Sequence, residues 1–536
     1  MELCVPRKGQ LFKGKAAAGL IMEMLKFVRA GPAVRIGKVV NMLDTIKTIN
    51  AASPDMRQLG IAPTLKAIEM VARVLSAPRL AYRGAPLRGD PANQQSVHGV
   101  PDVHLSAGEH RVVKGSWNVT QQSFSEVVQC SDWIFFCFVN HHREQEFLGL
   151  LQRAGPARGM TFSRPRVVTG RHVPGSSAFV CLLMLSLVDG QGIPSQFVLW
   201  TENKRMNDQY MNNLLLKINV KLGGFNHFCQ PVDAMLPGQF TMVMGADATH
   251  ALGFEKPSIV AVVGSVNEVL TKYSAEVRVQ RLLEVDVQGS RRAKKMDIIE
   301  ELPSMAKACF NSFSHALAYI ENKGRFPQQL VFFRDGVSES EYVAVMQVEV
   351  RELRVILKAA CEEQVKRNGL REMIQLTYIV CGKRHNFRFE PLDKDPECVK
   401  DNCPAGTVVD DKIITPRLYD FYLQSHAAIQ GTSASTHYTV LWDDHNWHPD
   451  RLHPFCNGLA NNFQRATRSI SMPAPVYYAD IVCTRAREWF FEEDDHAATH
   501  TTPTAQERFQ DLQAYQARLA SMQQGLNAMA YKMWFS

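Results

Sequence analysis

The chain has 536 residues, 46% of them hydrophobic and 21% charged, with a formal net charge of +7. That balance excludes a disordered, collagen-like or disulfide-stapled polypeptide and is enough for about three to four packed domains. The longest apolar run, residues 178–188, falls well short of the ~20 residues that a membrane-spanning helix needs.

The first 75 residues read as helical. Met22, Met24, Leu25 and Val28 recur at helical spacing, and residues 65–74 form a second amphipathic stretch. Residues 1–115 also carry 17 Lys and Arg against 8 Asp and Glu, while the remainder carries 43 against 45. Such a surplus suits a phosphate-backbone partner or, equally, a solvated helical face. Prolines 78, 86, 91 and 101 mark an extended connection over residues 77–115.

From Trp117 strands and helices alternate, the pattern of an α/β protein. Residues 134–139 and 179–187 read as buried strands, and 209–220 as a helix. A second alternating block follows, with strands expected at 240–244, 259–263 and 275–280, a helix over 297–318, and a strand at 330–333. Then come a helix over 341–367, strands at 376–380 and 438–442, a polar loop at 492–504, and a last helix over 506–533. No signal-peptide pattern opens the sequence. The twelve cysteines are scattered, and Cys398 and Cys403 lack the second ligand pair of a zinc site. Unpaired thiols suit a reducing compartment, so a soluble intracellular protein is expected.

Two aspartates stand where α/β sheets build sites. Asp247, in Gly245-Ala246-Asp247-Ala248-Thr249-His250, and Asp335, in Phe333-Arg334-Asp335-Gly336, are each expected just beyond an apolar strand. An aspartate after a strand is more often a turn former or a helix cap. The order of elements favours the sharper reading: a three-strand meander, a crossover helix, then a fourth strand ending in the second aspartate. Carboxylates on neighbouring strand ends could share divalent ions for phosphodiester hydrolysis.

These segments are similar to the PIWI domain of eukaryotic Argonautes, as are SHAAIQGTSASTHYTVLWDD (425–444) and RATRSISMPAPVYYAD (465–480); KINVKLGG (217–224) resembles the end of the adjoining MID domain. The resemblance implies a ribonuclease-H-like PIWI domain at 236–536, preceded by a shortened Rossmann-like MID domain at 116–235. Residues 1–115 would be a PAZ remnant and linker, the N domain and most of PAZ being absent. It implies binding of a small guide RNA that pairs with a complementary target RNA, silencing-complex proteins as further partners, and a cytoplasmic or nuclear location.

In slicing members of the family four residues hold two Mg²⁺ or Mn²⁺ ions. By position Asp247, Asp335 and Asp480 match three of the four, and Asp297 matches the fourth, where the family has a Glu. Asp is one methylene shorter, so target slicing, guide binding without slicing, and a truncated inactive product all stay open. For the guide 5′ end, Gln196, Lys217 and Lys221 match family contacts on the MID side, and Arg465 and Tyr477 on the PIWI side, Arg465 being expected before a Pro-rich strand. The family's Tyr-x-x-x-Lys is missing before Gln196.

Overall fold

The computed structural model describes residues 29–51, 58, 65–83, 109–119, 122–137, 141–169, 187–198, 206–230, 240–250, 257–281, 283–287, 290–294, 297–320, 327–368, 373–393, 395–490, 505–530 and 532–536. The strand expected at 179–187 (but for Leu187), the apolar positions at 22–28 with the rest of residues 1–28, and the loop at 492–504 lie outside the described residues.

The chain forms two compact units. One comprises Met1–Glu69, Phe387–Cys403 and Ala427–Ala434. In it, helix α1 (Pro32–Ala51) starts on a proline, whose fixed φ suits a first helical turn. Arg35 Nε donates to Thr432 Oγ1 at 3.2 Å, and the Thr432 hydroxyl donates to the Ala30 carbonyl at 2.8 Å.

All the strands and helices named below belong to the second unit, which begins at Met70. No helix forms over residues 65–74, contrary to expectation. Val71 is 88% exposed, so an apolar stripe there would have nothing to bury against. The chain instead runs extended into β1 (Arg73–Val74), which pairs antiparallel at an edge of the main sheet. Strands β2 (Arg79–Ala81) and β3 (Glu109–Arg111) belong to a small sheet with β6 (Phe228–Gln230). Between them in sequence, β4 (Ile134–Cys137), α2 (His141–Ala157) and β5 (Arg166–Thr169) make a βαβ unit with β4 and β5 parallel. Helix α3 (Asp208–Leu222) is set by its ends: the Asn207 side chain accepts the Tyr210 N–H at 2.8 Å, and Gly223 takes the left-handed conformation at φ 107°.

The main sheet contains β7 (Thr241–Thr249), β8 (Ser258–Ser265), β9 (Tyr273–Gln280), β12 (Gln329–Asp335), β13 (Gln375–Gly382), β14 (Thr407–Val409), β15 (Tyr419–Gln424) and β16 (Thr436–Asp443), with β1 at its edge. Its order is β1-β14-β15-β16-β13-β12-β7-β8-β9. Strands β7, β12 and β13 are parallel, and β7-β8-β9 is the expected meander. A hairpin of β10 (Leu283–Val287) and β11 (Ser290–Lys294) takes up the basic segment that follows the meander. The crossover helix α4 (Leu302–Ile320) begins five residues later than expected and leaves Asp297 in a loop.

Both sheet faces are buried, which is why its central strands read as unbroken apolar runs. On one face Met242, Met244, Leu330 and Phe332 pack against α4 and against α5 (Arg351–Asn368). A π-helical turn at Met346–Val350 leads into α5. On the other, Val243, Val331 and Phe333 pack against α6 (Pro449–Asn461) and α7 (Ala474–Arg487). The segment expected as a Pro-rich strand is therefore a helix. Pro473 and Pro475 sit at its cap and first turn, where a missing N–H costs nothing. Helix α8 (Ala505–Ala528) covers β9. Among the described residues no helix is long and apolar enough to cross a membrane.

Helix α7 lies hard against β7 because Gly245 has no side chain: a Cβ there would come within 2.3 Å of the Pro475 carbonyl carbon. The obstacle is backbone, so it cannot rotate aside. Gly245→Ala is expected to destabilise the chain by about 1–3 kcal/mol, the cost of overpacking. Urea denaturation would measure this, and an unchanged midpoint would contradict so close a helix–strand contact.

Candidate functional site

The alternation of β7 and β12 carries the two aspartates to one face. Side chains two apart share a face, so Asp247 follows Val243 and Asp335 follows Val331 and Phe333 toward the α6/α7 side. The parallel register pairs Arg334 with Ala246, leaving Asp335 and Asp247 side by side at the next position. Asp247 stands inside β7 rather than just beyond it, and Asp335 is the last residue of β12. A Cβ on Gly336, at φ +81°, would lie 3.8 Å from Asp247 Oδ1, and the Gly336 N–H donates to Asp335 Oδ1 at 2.7 Å. Asp480 reaches the same neighbourhood from α7, which is anchored beside it by the Cys483 thiol donating to the Asp247 carbonyl at 3.5 Å.

The electrostatics show that the three carboxylates share one environment. Burial, then the charges of Asp247 and, more weakly, Asp480, push Asp335 up to about 6. Asp480 is raised by burial and by Asp247. Asp247 is raised by burial, against the opposing pull of Arg334 and Arg384. Lys383, whose Nζ donates to Ser471 Oγ at 2.6 Å, is close enough to Asp335 and Asp480 for their charges to act on it, although burial dominates and lowers it.

Three hard oxygen donors that repel one another fit a divalent cation, which would relieve the repulsion. Among the described residues no three His, Cys, Asp or Glu side chains converge closely enough to hold one ion as they stand. The carboxylates would have to turn inward to do so. Asp297 has a different neighbour: its Oδ1 lies 3.5 Å from His250 Nε2. Its backbone carbonyl accepts from the Arg334 guanidinium, which also donates to the Asp335 carbonyl.

A second feature adjoins this one. A cavity of about 690 Å³ is lined by Gln196, Lys217, Lys221, Arg465 and Tyr477, with Phe197, Phe463, Asp480 and Arg485 among the rest of its wall. All five residues singled out for the guide 5′ end thus line one space, within the ~300–1,000 Å³ range of ligand sites. The helical spacing explains how: Lys217 and Lys221 are one turn apart on α3, and Tyr477, Ile481 and Arg485 are one turn apart on α7.

Lys221 is no surface lysine. Its Nζ donates to the Ser195 carbonyl at 2.8 Å and to Gln196 Oε1 at 2.9 Å. Burial, then the positive charges of Arg485 and Arg465, hold its ammonium well below the usual lysine range. The cavity wall sets four cations, Lys217, Lys221, Arg465 and Arg485, against the carboxylates of Asp480 and Glu488, and that surplus of positive charge suits an anionic group. Arg485 is the main residue that sequence reasoning missed. The signal was present, since it lies eight positions after Tyr477, but reading that stretch as a strand hid the helical register. Nearby, the charges of Lys383 and Arg384 act on the acidic group, whereas His385 Nε2 pairs with the Ser435 carbonyl at 2.7 Å.

This sheet, with its meander, crossover helix and carboxylates on adjacent parallel strands, behind a Rossmann-like βαβ region, defines a ribonuclease-H-like protein of the Argonaute MID–PIWI class. The family description "Piwi domain" matches residues 183–490, and the chain belongs to that family. Among solved structures it is similar to Kluyveromyces polysporus Argonaute with a guide RNA, at 22% identity and a TM-score of 0.66, covering 92% of this chain and 57% of that one. It is similar also to the C-terminal lobe of a budding yeast Argonaute (23%, TM-score 0.62, 80% of this chain and 91% of that one). Drosophila Piwi matches at 19% with a TM-score of 0.66, over 87% of this chain and 61% of that one. At these identities the likeness is one of fold, and the chain spans 57% of the length of the Kluyveromyces protein.

Proposed function

We propose that this chain binds a small guide RNA, seats its 5′-terminal phosphate in the cavity between α3 and α7, and pairs the guide with a target RNA in cytoplasmic or nuclear silencing. The observation that carries this is the convergence of Gln196, Lys217, Lys221, Arg465 and Tyr477, from separate stretches of sequence, on one cation-rich cavity. The shared fold with an Argonaute whose structure holds a guide RNA supports it. Lysine and arginine together would grip a terminal phosphate, which carries more charge and more acceptors than a backbone phosphodiester. The protein would hold the backbone while base pairing reads the sequence.

The test is direct binding of a labelled short RNA bearing either a 5′-phosphate or a 5′-hydroxyl. Wild type is expected to prefer the phosphorylated guide. Lys217→Ala combined with Lys221→Ala is expected to weaken binding of that guide by about 100-fold or more, the effect of losing two charge-assisted contacts of ~1.5–3 kcal/mol each. Equal binding of both guides by wild type would sink the proposal.

A second reading, target cleavage, draws on the acidic group. Asp247, Asp335 and Asp480 are the residues that would hold divalent ions there. Such ions would neutralise the scissile phosphate and supply an activated water. Asp297, beside His250, would complete the set only if its loop moves toward them. Silencing without cleavage, through recruited proteins, needs only the guide cavity.

A further inference from the structure

Asp189 does not line the cavity, yet it governs a group that does. Its carboxylate is fully buried and accepts three N–H donors: Arg485 Nη2 on Oδ1 at 2.6 Å, Arg485 Nε on Oδ2 at 3.0 Å, and Trp489 Nε1 on Oδ2 at 2.9 Å. Two bonds along one edge of a planar guanidinium fix both its position and its plane. The face is occupied too, since the Arg485 guanidinium carbon lies 5.6 Å from the Trp534 ring centre.

Asp189 is itself held. It lies in a helical turn at 187–190, and a Cβ on Gly525 of α8 would come 2.4 Å from the Asp189 and Gly190 carbonyl oxygens. Only a glycine lets the turn and the helix approach so closely. The same segment continues to Ser195, whose Oγ accepts from Arg485 at 3.3 Å and whose carbonyl accepts from Lys221. One short stretch of chain therefore places two of the cavity's cations.

The geometry points to Asp189 as the positioning residue that gives the cavity its selectivity for a terminal phosphate. This rests on the guide-binding reading and deepens it. An arginine left to itself samples many rotamers and loses that freedom on binding. Held by Asp189, it meets the ligand already oriented, and the benefit goes to a ligand end with several charged acceptors, a phosphate rather than a hydroxyl with its one neutral oxygen. The carboxylate also offsets one positive charge, which restrains the cavity from gripping any RNA phosphate indiscriminately.

The experiment compares Asp189→Asn with wild type in binding 5′-phosphorylated and 5′-hydroxyl forms of one short RNA, with thermal melting to establish folding. The ratio of the two affinities is expected to fall about tenfold, the size of one charge-assisted bond. A proportional change in both affinities, or none in either, overturns the assignment. Trp489→Phe removes one N–H from the same carboxylate and leaves its charge. It is expected to lower the ratio in the same direction by a smaller factor, and serves if the first variant does not fold. If wild type itself binds neither RNA, the guide-binding reading fails instead, a result distinct from loss of selectivity in the variant.

Discussion

Glu349→Ala is expected to destabilise this chain by about 3–5 kcal/mol, the cost of breaking a buried ion pair from one side. Glu349 sits on the π-helical turn, fully buried, with Oε2 3.4 Å from Arg334 Nε, itself 1% exposed. The same carboxylate accepts from Tyr378 Oη at 2.5 Å and from the Ile299 N–H at 2.9 Å. Removing it would strand the Arg334 charge in the core and leave a phenol and a backbone N–H without an acceptor. The loss extends to the site, because Arg334 ties the carbonyls of Asp297 and Asp335 together while Glu349 holds the loop two residues further on. Replacing both partners, Arg334→Met with Glu349→Leu, should recover the part of the loss that comes from the stranded charge, while the Tyr378 hydroxyl and the Ile299 N–H stay without this acceptor. It should not recover the loop's position. Urea denaturation gives the first result and hydrogen exchange at Ile299 the second. A single variant that melts with wild type would show that the pair is not a keystone of this layer.

Much of this arrangement was legible because its determinants are local. The two-residue period of a strand over 241–249 and 329–335 fixes which residues face together, and with the parallel register it brings Asp247 beside Asp335. The pairing of Lys217 with Lys221 follows from helical spacing in the same way. Asp480 was legible only through resemblance. Its stretch contains Pro473 and Pro475, which argue against a helix unless they stand in its first turn, as they do. Residues 65–74 have the spacing of an amphipathic helix but no apolar surface to meet it, so edge pairing with β14 prevails over periodicity. Least legible were the contacts that join distant segments. Asp189 and Arg485 are 296 positions apart, and neither is unusual in its own neighbourhood. Arg334 reads as one more charged residue at a strand end, although it is the link between Asp297 and Glu349.

Asp335→Asn is expected to make the protein more stable at neutral pH while removing one of the three carboxylates that would hold a cation. The folded carboxyl is pushed up to about 6 from an ordinary value of 3.8, first by burial and then by the charge of Asp247. Between those values the folded chain keeps a proton that the unfolded chain has released. Stability is therefore lost as the pH rises from about 4 to about 6, and it stays lost above that. Two pKa units correspond to about 3 kcal/mol. The amide carries no charge, and its oxygen can still accept the Gly336 N–H, so the variant escapes this loss. Wild type and Asp335→Asn should thus melt together near pH 4 and separate above pH 6, with the variant higher. Mg²⁺ should close the gap from the wild-type side, because neutralising the cluster substitutes for protonating it, and should leave the variant unmoved. The same pair of proteins tests cleavage: with a bound guide, a complementary RNA and Mg²⁺, a single cut by wild type that disappears in Asp335→Asn identifies a slicer. An intact target with both proteins, alongside an Mg²⁺-dependent rise in wild-type stability, would mean that the carboxylates bind the ion and that Asp297, paired with His250, does not complete the chemistry. Melting curves that coincide at every pH, with and without Mg²⁺, would remove the acidic group from consideration as a metal site.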